Sequence, residues 1–145
     1  MKNKEIAALF YEMADILDIL GIEWKPQAFR KAARVLEAEP EAIEDLFAEK
    51  GEKGLMELEG IGKNLAAKIG EYIETGKMKE YTELKKQIPK GLADLLNVPG
   101  LGPKRAAVLY KKLNITTLEK LEKAARTGKI RNVEGFGEKS EEDIL

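Results

Sequence analysis

At positions 58–69 the chain reads Leu-Glu-Gly-Ile-Gly-Lys-Asn-Leu-Ala-Ala-Lys-Ile, and this stretch decides the fold. An apolar residue stands between two glycines, and a segment rich in Ala, Leu and Lys follows with the spacing of a helix. The same plan returns at 98–105 as Val-Pro-Gly-Leu-Gly-Pro-Lys-Arg and, more loosely, at 133–139 as Val-Glu-Gly-Phe-Gly-Glu-Lys. The first glycines of successive copies lie 40 and then 35 positions apart, so the sequence predicts an internal repeat.

Each copy joins a sharp turn to the start of a helix. Glycine reaches backbone angles that residues with a Cβ avoid, and the following helix begins with free N–H groups at the positive end of its dipole. Such a turn binds an anion such as phosphate. The residue between the glycines, which is Ile61, Leu101 or Phe136, is predicted to anchor the turn in the core. The pattern is typical of a helix-hairpin-helix motif, which holds the DNA backbone without reading sequence. The alternative is that the glycines merely end helices.

The composition narrows the chemistry that the chain can perform. Of its 145 residues, 43% are hydrophobic, which is enough for the core of one domain or of two small ones. The chain has no Cys and no His, which excludes disulfides, thiolate or imidazole metal ligands and a histidine general base. It shows no long apolar run and no signal-like N-terminus, so we expect a cytoplasmic protein without a membrane partner.

The net charge of −1 conceals an uneven distribution of charged residues. Residues 1–59 carry 8 basic and 14 acidic side chains, residues 60–112 carry 11 and 5, and residues 113–145 carry 6 and 7. A net charge near zero counts against a uniformly basic DNA-binding domain. The positive excess, however, coincides with the first two glycine turns, and this segregation indicates a local site for an anionic partner.

Helix-forming segments cover most of the chain, and no stretch alternates as a strand does. Asn3 is placed to cap the first helix, and Thr117 is placed to cap the helix before the third glycine turn. Gly51 and Gly54 bracket a segment predicted to be loose, and residues 89–91 are predicted to form a hinge. The sequence therefore predicts an all-α fold with helices over about 3–20, 26–38, 40–48, 63–75, 77–87, 92–97, 103–113, 118–126 and 137 to the end.

A second cluster interrupts the acidic N-terminal segment. Trp24 and Lys25 stand at the foot of the second helix, and Phe29, Arg30 and Lys31 follow on that helix. An aromatic ring beside cations can stack on an unpaired base while the cations hold phosphate. The alternative is that Trp24 and Phe29 are core residues and that the cations face solvent.

The order of these segments resembles the N-terminal part of family X DNA polymerases, in particular the bacterial and archaeal ones. The resemblance covers essentially the whole chain. It implies a small four-helix, lyase-type domain with one helix-hairpin-helix over residues 1–84. It further implies a second helical, DNA-binding subdomain with tandem helix-hairpin-helix motifs over residues 90–145. The segments that carry the resemblance are Gln-Ala-Phe-Arg-Lys-Ala-Ala at 27–33, Gly-Ile-Gly at 60–62, Ala-Ala-Lys-Ile at 66–69, Tyr-Ile-Glu-Thr-Gly-Lys at 72–77 and Pro-Gly-Leu-Gly-Pro at 99–103.

The resemblance also implies a partner and a cellular role. The partner is gapped or nicked double-stranded DNA with a 5′-phosphate, bound by a monomer during base excision repair in the cytoplasm, at the nucleoid. A monovalent cation, Na⁺ or K⁺, is implied at the hairpin backbone of Gly60 and of Gly100, and no cofactor is required for DNA binding or lyase chemistry. Mg²⁺ is implied only in the palm, whose three aspartates have no match here. Because the chain stops at Leu145, within a predicted helix, we expect a piece of a longer protein that does not polymerise by itself.

Lys68 falls on the position of the family's lyase nucleophile. A neutral lysine amine can attack the C1′ aldehyde of an abasic sugar and form a Schiff base that permits β-elimination of phosphate. Burial or neighbouring cations would lower the lysine pKa toward the reactive form. In the implied 5′-phosphate pocket, Lys25 falls on a phosphate-binding lysine and Trp24 on a stacking aromatic. The chain departs from the family with Phe29 in place of Tyr, and with Met56, Asn64 and Glu80 at positions where repair members carry Lys.

The predicted DNA contacts extend beyond this pocket to other cations and to the two better hairpins. They are Arg30, Lys31, Gly60, Gly62, Lys63, Gly100, Gly102, Lys104 and Arg105. Changing Lys104 and Arg105 together to Ala is expected to weaken DNA binding and to flatten its salt dependence. The third hairpin, with Glu138 and Glu141, is interpreted as structural because acidic residues repel phosphate. Two alternatives stay open: a non-catalytic tandem helix-hairpin-helix DNA-binding module, and a protein-interaction scaffold.

Overall fold

The chain is helical throughout the residues that the structure describes. The computed structural model describes residues 1–144, without the side chains of Glu138 and Ser140. Within that range it contains nine α-helices, one 3₁₀ helix over Ile130–Asn132 and no strand, which confirms the all-α prediction. The α-helices are α1 (Asn3–Ile19), α2 (Lys25–Ala38), α3 (Ile43–Met56), α4 (Lys63–Thr75), α5 (Lys79–Lys85), α6 (Leu92–Leu95), α7 (Pro103–Leu113), α8 (Leu118–Arg126) and α9 (Glu138–Ile144).

Contacts between residues divide the chain into two units. The first unit comprises Met1–Leu17 and Ile22–Leu84, and the second comprises Asp18–Gly21 and the residues from Lys85 onward. None of the helices described over residues 1–144 is long and apolar enough to cross a membrane. Leu145, on which the expectation of a truncated last helix rests, lies outside the described residues.

The helices of the first unit share one apolar core. Each of α1, α2, α3 and α4 buries a large side chain completely, as Phe10, Leu36, Leu55 and Ile69 show. Phe29 of α2 packs edge-on against Phe10, with the ring centroids 5.3 Å apart. Burying one such side chain stabilises the fold by about 1.5–3 kcal/mol, so the apolar faces of the amphipathic helices dictate how these helices associate.

Asn3 does not cap α1 as the sequence predicted. The helix already begins at Asn3, whose side chain is buried. The side-chain amide donates to the carbonyls of Glu39 and Glu41, and its oxygen accepts from the N–H of Ile43 at 2.8 Å. Asn3 therefore ties the start of α1 to the connection between α2 and α3. The prediction was wrong because the partners of this amide lie far away in the sequence.

The segment between Gly51 and Gly54 is helical, although it was predicted to be loose. The backbone of Gly51 is not helical, with φ 67° and ψ −157°, so it separates α3 into two helical segments, and the second segment runs on to Met56. The following helix α4 approaches α3 closely, since a Cβ at Gly70 would lie 2.9 Å from a ring carbon of Phe47. This close packing of α3 against α4 explains the order of a segment whose own helical signal is weak.

The second unit has a separate core beneath the second and third glycine turns. Its completely buried large residues are Leu92, Leu95, Leu109 and Ile130, and Leu101 is 2% exposed. The predicted cap of α8 is confirmed, because the Thr117 hydroxyl accepts from the N–H of Lys120 at 3.1 Å. The predicted helix over 92–97 is shorter than expected and ends at Leu95.

The third hairpin is held by an ion pair between buried Glu141 and half-exposed Arg131. Glu141 is 3% exposed and accepts from the backbone N–H of Arg131 at 3.0 Å and from its guanidinium at 2.8 and 3.2 Å. These hydrogen bonds hold the pKa of Glu141 below its ordinary value. The pair ties α9 to the 3₁₀ helix, which agrees with a structural role for the third hairpin. The side chain of Glu138, the other residue of that prediction, lies outside the described part.

Gly100→Ala is expected to lower the free energy of unfolding by about 1–2 kcal/mol, because alanine is strained at a φ of +81°. Crowding does not contribute, since a Cβ there would meet no atom within 4 Å. Gly102→Ala is the matched control: Gly102 has a φ of −78° and equally open surroundings, so the change should be under about 1 kcal/mol. Calorimetric unfolding of both variants measures the difference, and equal losses would contradict the role assigned to the positive φ.

Candidate nucleic-acid interface

The three glycine turns have the same backbone geometry. In each turn the residue after the first glycine donates its N–H to the carbonyl three positions earlier, at 3.0–3.2 Å. Ile61 and Leu101 are 3% and 2% exposed, so both anchor their turns in a core as predicted. The first glycines have φ values of +83°, +81° and +88° at Gly60, Gly100 and Gly135, respectively.

The second glycine of the two better hairpins is open to an approaching group. Gly62 and Gly102 are the N-cap residues of α4 and α7, and neither helix start is capped by a side chain. A Cβ at either glycine would meet no atom within 4 Å. Gly60 differs, because the stem of Lys31 lies 3.3 Å from the place of its Cβ. The starts of α4 and α7 therefore offer uncapped N–H groups beside open space, which is what a phosphate ligand requires.

In the described part of the chain, three helices lack an acidic residue in their first turn, and each has a lysine at its start. The lysines are Lys25 in α2, Lys63 in α4 and Lys104 in α7. By contrast, α1, α3, α5, α6 and α8 each carry Asp or Glu in the first turn. A carboxylate there stabilises a helix by about 0.3–1 kcal/mol, whereas a cation opposes the dipole. Helices α2, α4 and α7, whose starts are predicted to bind phosphate, therefore lack this stabilisation.

Lys63 and Lys104 extend into solvent from the first turns of α4 and α7, as the first and the second helical residue, respectively. Both residues are exposed, and within residues 1–144 the structure shows neither a hydrogen bond nor an ion pair for them. An ammonium without a carboxylate partner can bind a phosphate without first breaking a pair. Lys63 and Lys104 can therefore bind a DNA phosphate without the loss of an ion pair within the chain.

Arg105 is engaged within the chain. Its Nη1 donates to the carbonyl of Gly100 at 3.1 Å, and its Nη2 donates to the carbonyl of Gly135 at 2.7 Å. The guanidinium also lies 4.3 Å from the ring centroid of Phe136. Arg105 therefore links the second hairpin to the third, a role that the sequence did not predict. Its contact with DNA stays a prediction.

A monovalent cation is predicted at Gly60 and Gly100, and the hydrogen bond from Arg105 to the Gly100 carbonyl affects whether it can bind at Gly100. The Gly100 carbonyl already accepts from a positively charged group, the Arg105 guanidinium. A metal ion on this oxygen would lie beside that charge, so the residues present do not fit a cation held through the Gly100 carbonyl. At Gly60 the cation stays a prediction.

Lys68 lies in a pocket formed by α2, α4 and α5. Its ammonium is 2.8 Å from one carboxylate oxygen of Glu80 and 6.0 Å from the ring centroid of Phe29. Lys25 lies 3.7 Å from the other carboxylate oxygen of Glu80. The Lys68 side chain is 20% exposed, so it is largely desolvated but can still be reached from solvent.

This pocket lowers the pKa of Lys68. Burial is the main cause and the positive charge of Lys25 acts in the same direction, whereas Glu71 opposes both. The carboxylate of Glu80 also favours the ammonium form, because an opposite charge at hydrogen-bond distance stabilises it. The net direction agrees with the sequence-based expectation for a reactive lysine. The cation that contributes to this lowering of the pKa is Lys25, which lies on α2, whereas Lys68 lies on α4.

Trp24 and Phe29 have opposite environments. Trp24 is 82% exposed and has a φ of +73° immediately before α2. Phe29 is 4% exposed and belongs to the core. The alternative that both are core residues is thus right for Phe29 and wrong for Trp24. The exposed indole next to Lys25 can stack on a base, whereas Phe29 forms the floor of the lysine pocket.

The remaining predicted cations of the first unit have carboxylate partners. Arg30 pairs with Asp15 at 2.9 Å, and the ammonium of Lys31 lies 4.0 Å from Glu59. Partly exposed pairs of this kind contribute only about 0–1 kcal/mol, so a phosphate can compete with the carboxylates. DNA binding through Arg30 or Lys31 would exchange one anion for another.

Glu80 is the residue of the pocket whose role sequence reasoning missed. In the sequence it is only a departure at a position where repair members of the similar family carry lysine. Its two contacts join α5 to lysines on α2 and α4. Because these three residues are far apart in the sequence, no local spacing pattern predicts the contacts. The reversal of charge at that position was the one signal that could have drawn attention to it.

Comparisons with known proteins agree with this geometry. A helix-hairpin-helix domain model matches residues 1–78, and a model of the SAM-like helix-hairpin-helix tandem matches residues 92–145. The DNA polymerase/3′-5′ exonuclease PolX of Bacillus subtilis (strain 168) is 39% identical over 146 residues, which cover 100% of this chain and 25% of the relative. The resemblance stated from the sequence is confirmed, and the chain spans about a quarter of the length of that relative.

Arg105→Ala is expected to lower the free energy of unfolding by about 1–2 kcal/mol, because two charge-assisted hydrogen bonds to hairpin carbonyls are lost. Arg105→Lys should restore little of this, since an ammonium lacks the planar fork that reaches both carbonyls. The neighbouring control, Lys104→Ala, should stay within about 0.5 kcal/mol of the parent chain. Denaturant unfolding measures all three, and an Arg105→Lys variant as stable as the parent would contradict the bridging role.

Proposed function

The chain belongs to the helix-hairpin-helix domain family, and we propose that it holds the sugar-phosphate backbone of DNA without reading the base sequence. The match of its whole length to part of a DNA polymerase supports this proposal. We further propose that the chain is the N-terminal segment of a family X polymerase. In that role it positions the DNA, and a catalytic part outside the chain polymerises.

The observation that carries the proposal is an open glycine turn followed by an exposed lysine in the first turn of a helix. The arrangement occurs twice, with Gly62 before Lys63 and with Gly102 before Lys104. Backbone N–H groups and lysine ammonium groups both donate to phosphate oxygens, and neither distinguishes one base from another. Binding of this kind releases counterions from the DNA and therefore weakens steeply as salt is added.

For the first unit we propose the 5′ side of a gap or nick as the ligand. Lys25 and Lys68 converge on one anion in the DNA-free chain, which supports a site for a terminal phosphate. A terminal phosphate accepts charge-assisted hydrogen bonds from both ammonium groups. The exposed ring of Trp24 beside Lys25 can stack on the unpaired base next to the break.

The same pocket is proposed to act as a lyase. The neutral Nζ of Lys68 attacks C1′ of the open-chain abasic sugar, and a Schiff base forms with loss of water. Loss of a proton from C2′ and cleavage of the C3′–O bond then leave the phosphate on the DNA. Hydrolysis of the imine regenerates the lysine. The lowered pKa of Lys68 supports this role, whereas the ion pair with Glu80 favours the alternative of a non-catalytic module by stabilising the ammonium form.

Lys63→Ala and Lys104→Ala are each expected to weaken binding of a gapped duplex. Each should also reduce the slope of log K against log salt by about 0.9, the value for one lost phosphate contact. Fluorescence anisotropy over a series of salt concentrations measures the affinity and the slope. Lys53→Ala is the matched control, because Lys53 is an exposed lysine in the last turn of α3 and should leave the slope unchanged. An equal reduction in all three variants would show that diffuse charge, and not the hairpins, accounts for binding.

Borohydride reduction is expected to trap a covalent adduct with gapped DNA that carries a 5′-deoxyribose phosphate, and Lys68→Ala should abolish it. The trapping rate should rise with pH and level off below the ordinary lysine pKa of about 10.4, since the pKa of Lys68 is lowered and the neutral amine reacts. Lys25→Ala should move this plateau to higher pH, because losing the neighbouring positive charge raises the pKa of Lys68.

Binding of the same DNA by each variant is measured alongside as the control for trapping. Tight binding without any adduct would support the non-catalytic module. An adduct that survives Lys68→Ala would assign the chemistry to another lysine.

A further inference from the structure

We propose that Glu80 occupies the place of the DNA 5′-phosphate between Lys25 and Lys68 in the DNA-free chain, and thereby limits how strongly the pocket distinguishes a 5′-phosphate from a 5′-hydroxyl. The inference rests on the proposed function, since it concerns the same pocket. It concerns the specificity of that pocket for the DNA end and not DNA binding as such.

The geometry of the contact carries the inference. Glu80 stands in the first turn of α5, Lys25 begins α2, and Lys68 lies within α4. One carboxylate oxygen is 2.8 Å from the Lys68 ammonium, and the other is 3.7 Å from the Lys25 ammonium. A single anion thus bridges two cations from separate helices. This is the arrangement that a bound phosphate would also adopt.

Charge explains why the two anions compete. With Glu80 in place, two positive charges face one negative charge, and the remaining attraction for a phosphate is that of a single cation. A phosphate that enters must displace the carboxylate or lie next to it, and like charges at such a distance repel. Glu80 therefore offsets about half of the contribution that the two lysines could make to binding a terminal phosphate.

Glu80 can leave the pocket without unfolding α5. Its side chain is 34% exposed, so it can rotate toward water. The helix itself is held by other residues: the Met78 side chain before it is buried, the Lys79 N–H donates to Glu71 at 3.1 Å, and the Tyr81 hydroxyl donates to Glu12 at 2.7 Å. Removal of the Glu80 charge should therefore leave the helix in place.

The test compares affinities for two gapped duplexes that differ only in a 5′-phosphate or a 5′-hydroxyl at the break. Anisotropy titrations use the full chain, Glu80→Gln and Glu74→Gln. Glu74 is an exposed glutamate of α4 whose side chain makes no hydrogen bond or ion pair in the described structure, so its variant makes the same change in net charge elsewhere. Glu80→Ala serves as a second variant, and thermal unfolding verifies that each protein is folded.

We expect Glu80→Gln to tighten binding of the 5′-phosphate duplex about two- to fivefold, the range of a partly exposed charge pair, and to change binding of the 5′-hydroxyl duplex less than about twofold. Glu74→Gln should affect both duplexes alike. Equal effects of Glu80→Gln on the two duplexes, or weaker binding of the 5′-phosphate end, would overturn the inference.

The two levels of proposal fail in distinguishable ways. If the chain and its variants do not bind either duplex, the proposed function fails and this inference fails with it. A second outcome is that both duplexes bind and that Lys104→Ala weakens this binding, while Glu80→Gln leaves the preference for a 5′-phosphate unchanged. In that case only this inference fails.

Discussion

The left-handed glycine at the tip of each hairpin is the constraint on which the rest of the structure depends. Gly60, Gly100 and Gly135 all have a φ above +80°, a conformation that a side chain would oppose. At Gly60 and Gly100 the turn lets Ile61 and Leu101 point into a core, while α4 and α7 begin without a side-chain cap. In the first two hairpins the positive φ of the glycine thus contributes to folding. It also leaves an uncapped helix start beside open space, where a phosphate can bind.

Positive charge in this chain has two different settings. At Lys63 and Lys104 the ammonium groups are exposed at uncapped helix starts, where the dipole makes an anion favourable. In the lysine pocket Lys68 is paired with Glu80, and on α2 Arg30 and Lys31 are paired with Asp15 and Glu59 of the acidic N-terminal segment. The acidic N-terminal segment is therefore part of the same electrostatic arrangement, since its carboxylates hold cations that DNA would otherwise attract directly.

Predictions from the sequence were best where the signal was local. The burial of Ile61 and Leu101 between their glycines and the cap at Thr117 follow from short patterns and are confirmed, whereas Phe136 is only partly buried. The first helix start and the path of α3 were predicted less well, because Asn3 bonds to the α2–α3 connection and Gly70 admits Phe47. In each of these cases a partner distant in sequence outweighed the local preference. The opposite exposures of Trp24 and Phe29, five positions apart, could not be separated by residue type alone.

The all-α fold, the repeated glycine turns and the helix starts that carry lysine follow from the amino-acid sequence alone. These features depend on backbone freedom, capping and helical spacing, which act within a few residues. Only the tertiary structure decided that Glu80 bridges Lys25 and Lys68, and that Arg105 joins two hairpins. Such contacts form between helices that are distant in the chain. Their strength depends on the distance and the desolvation of the charged groups, and both are set by how the helices pack.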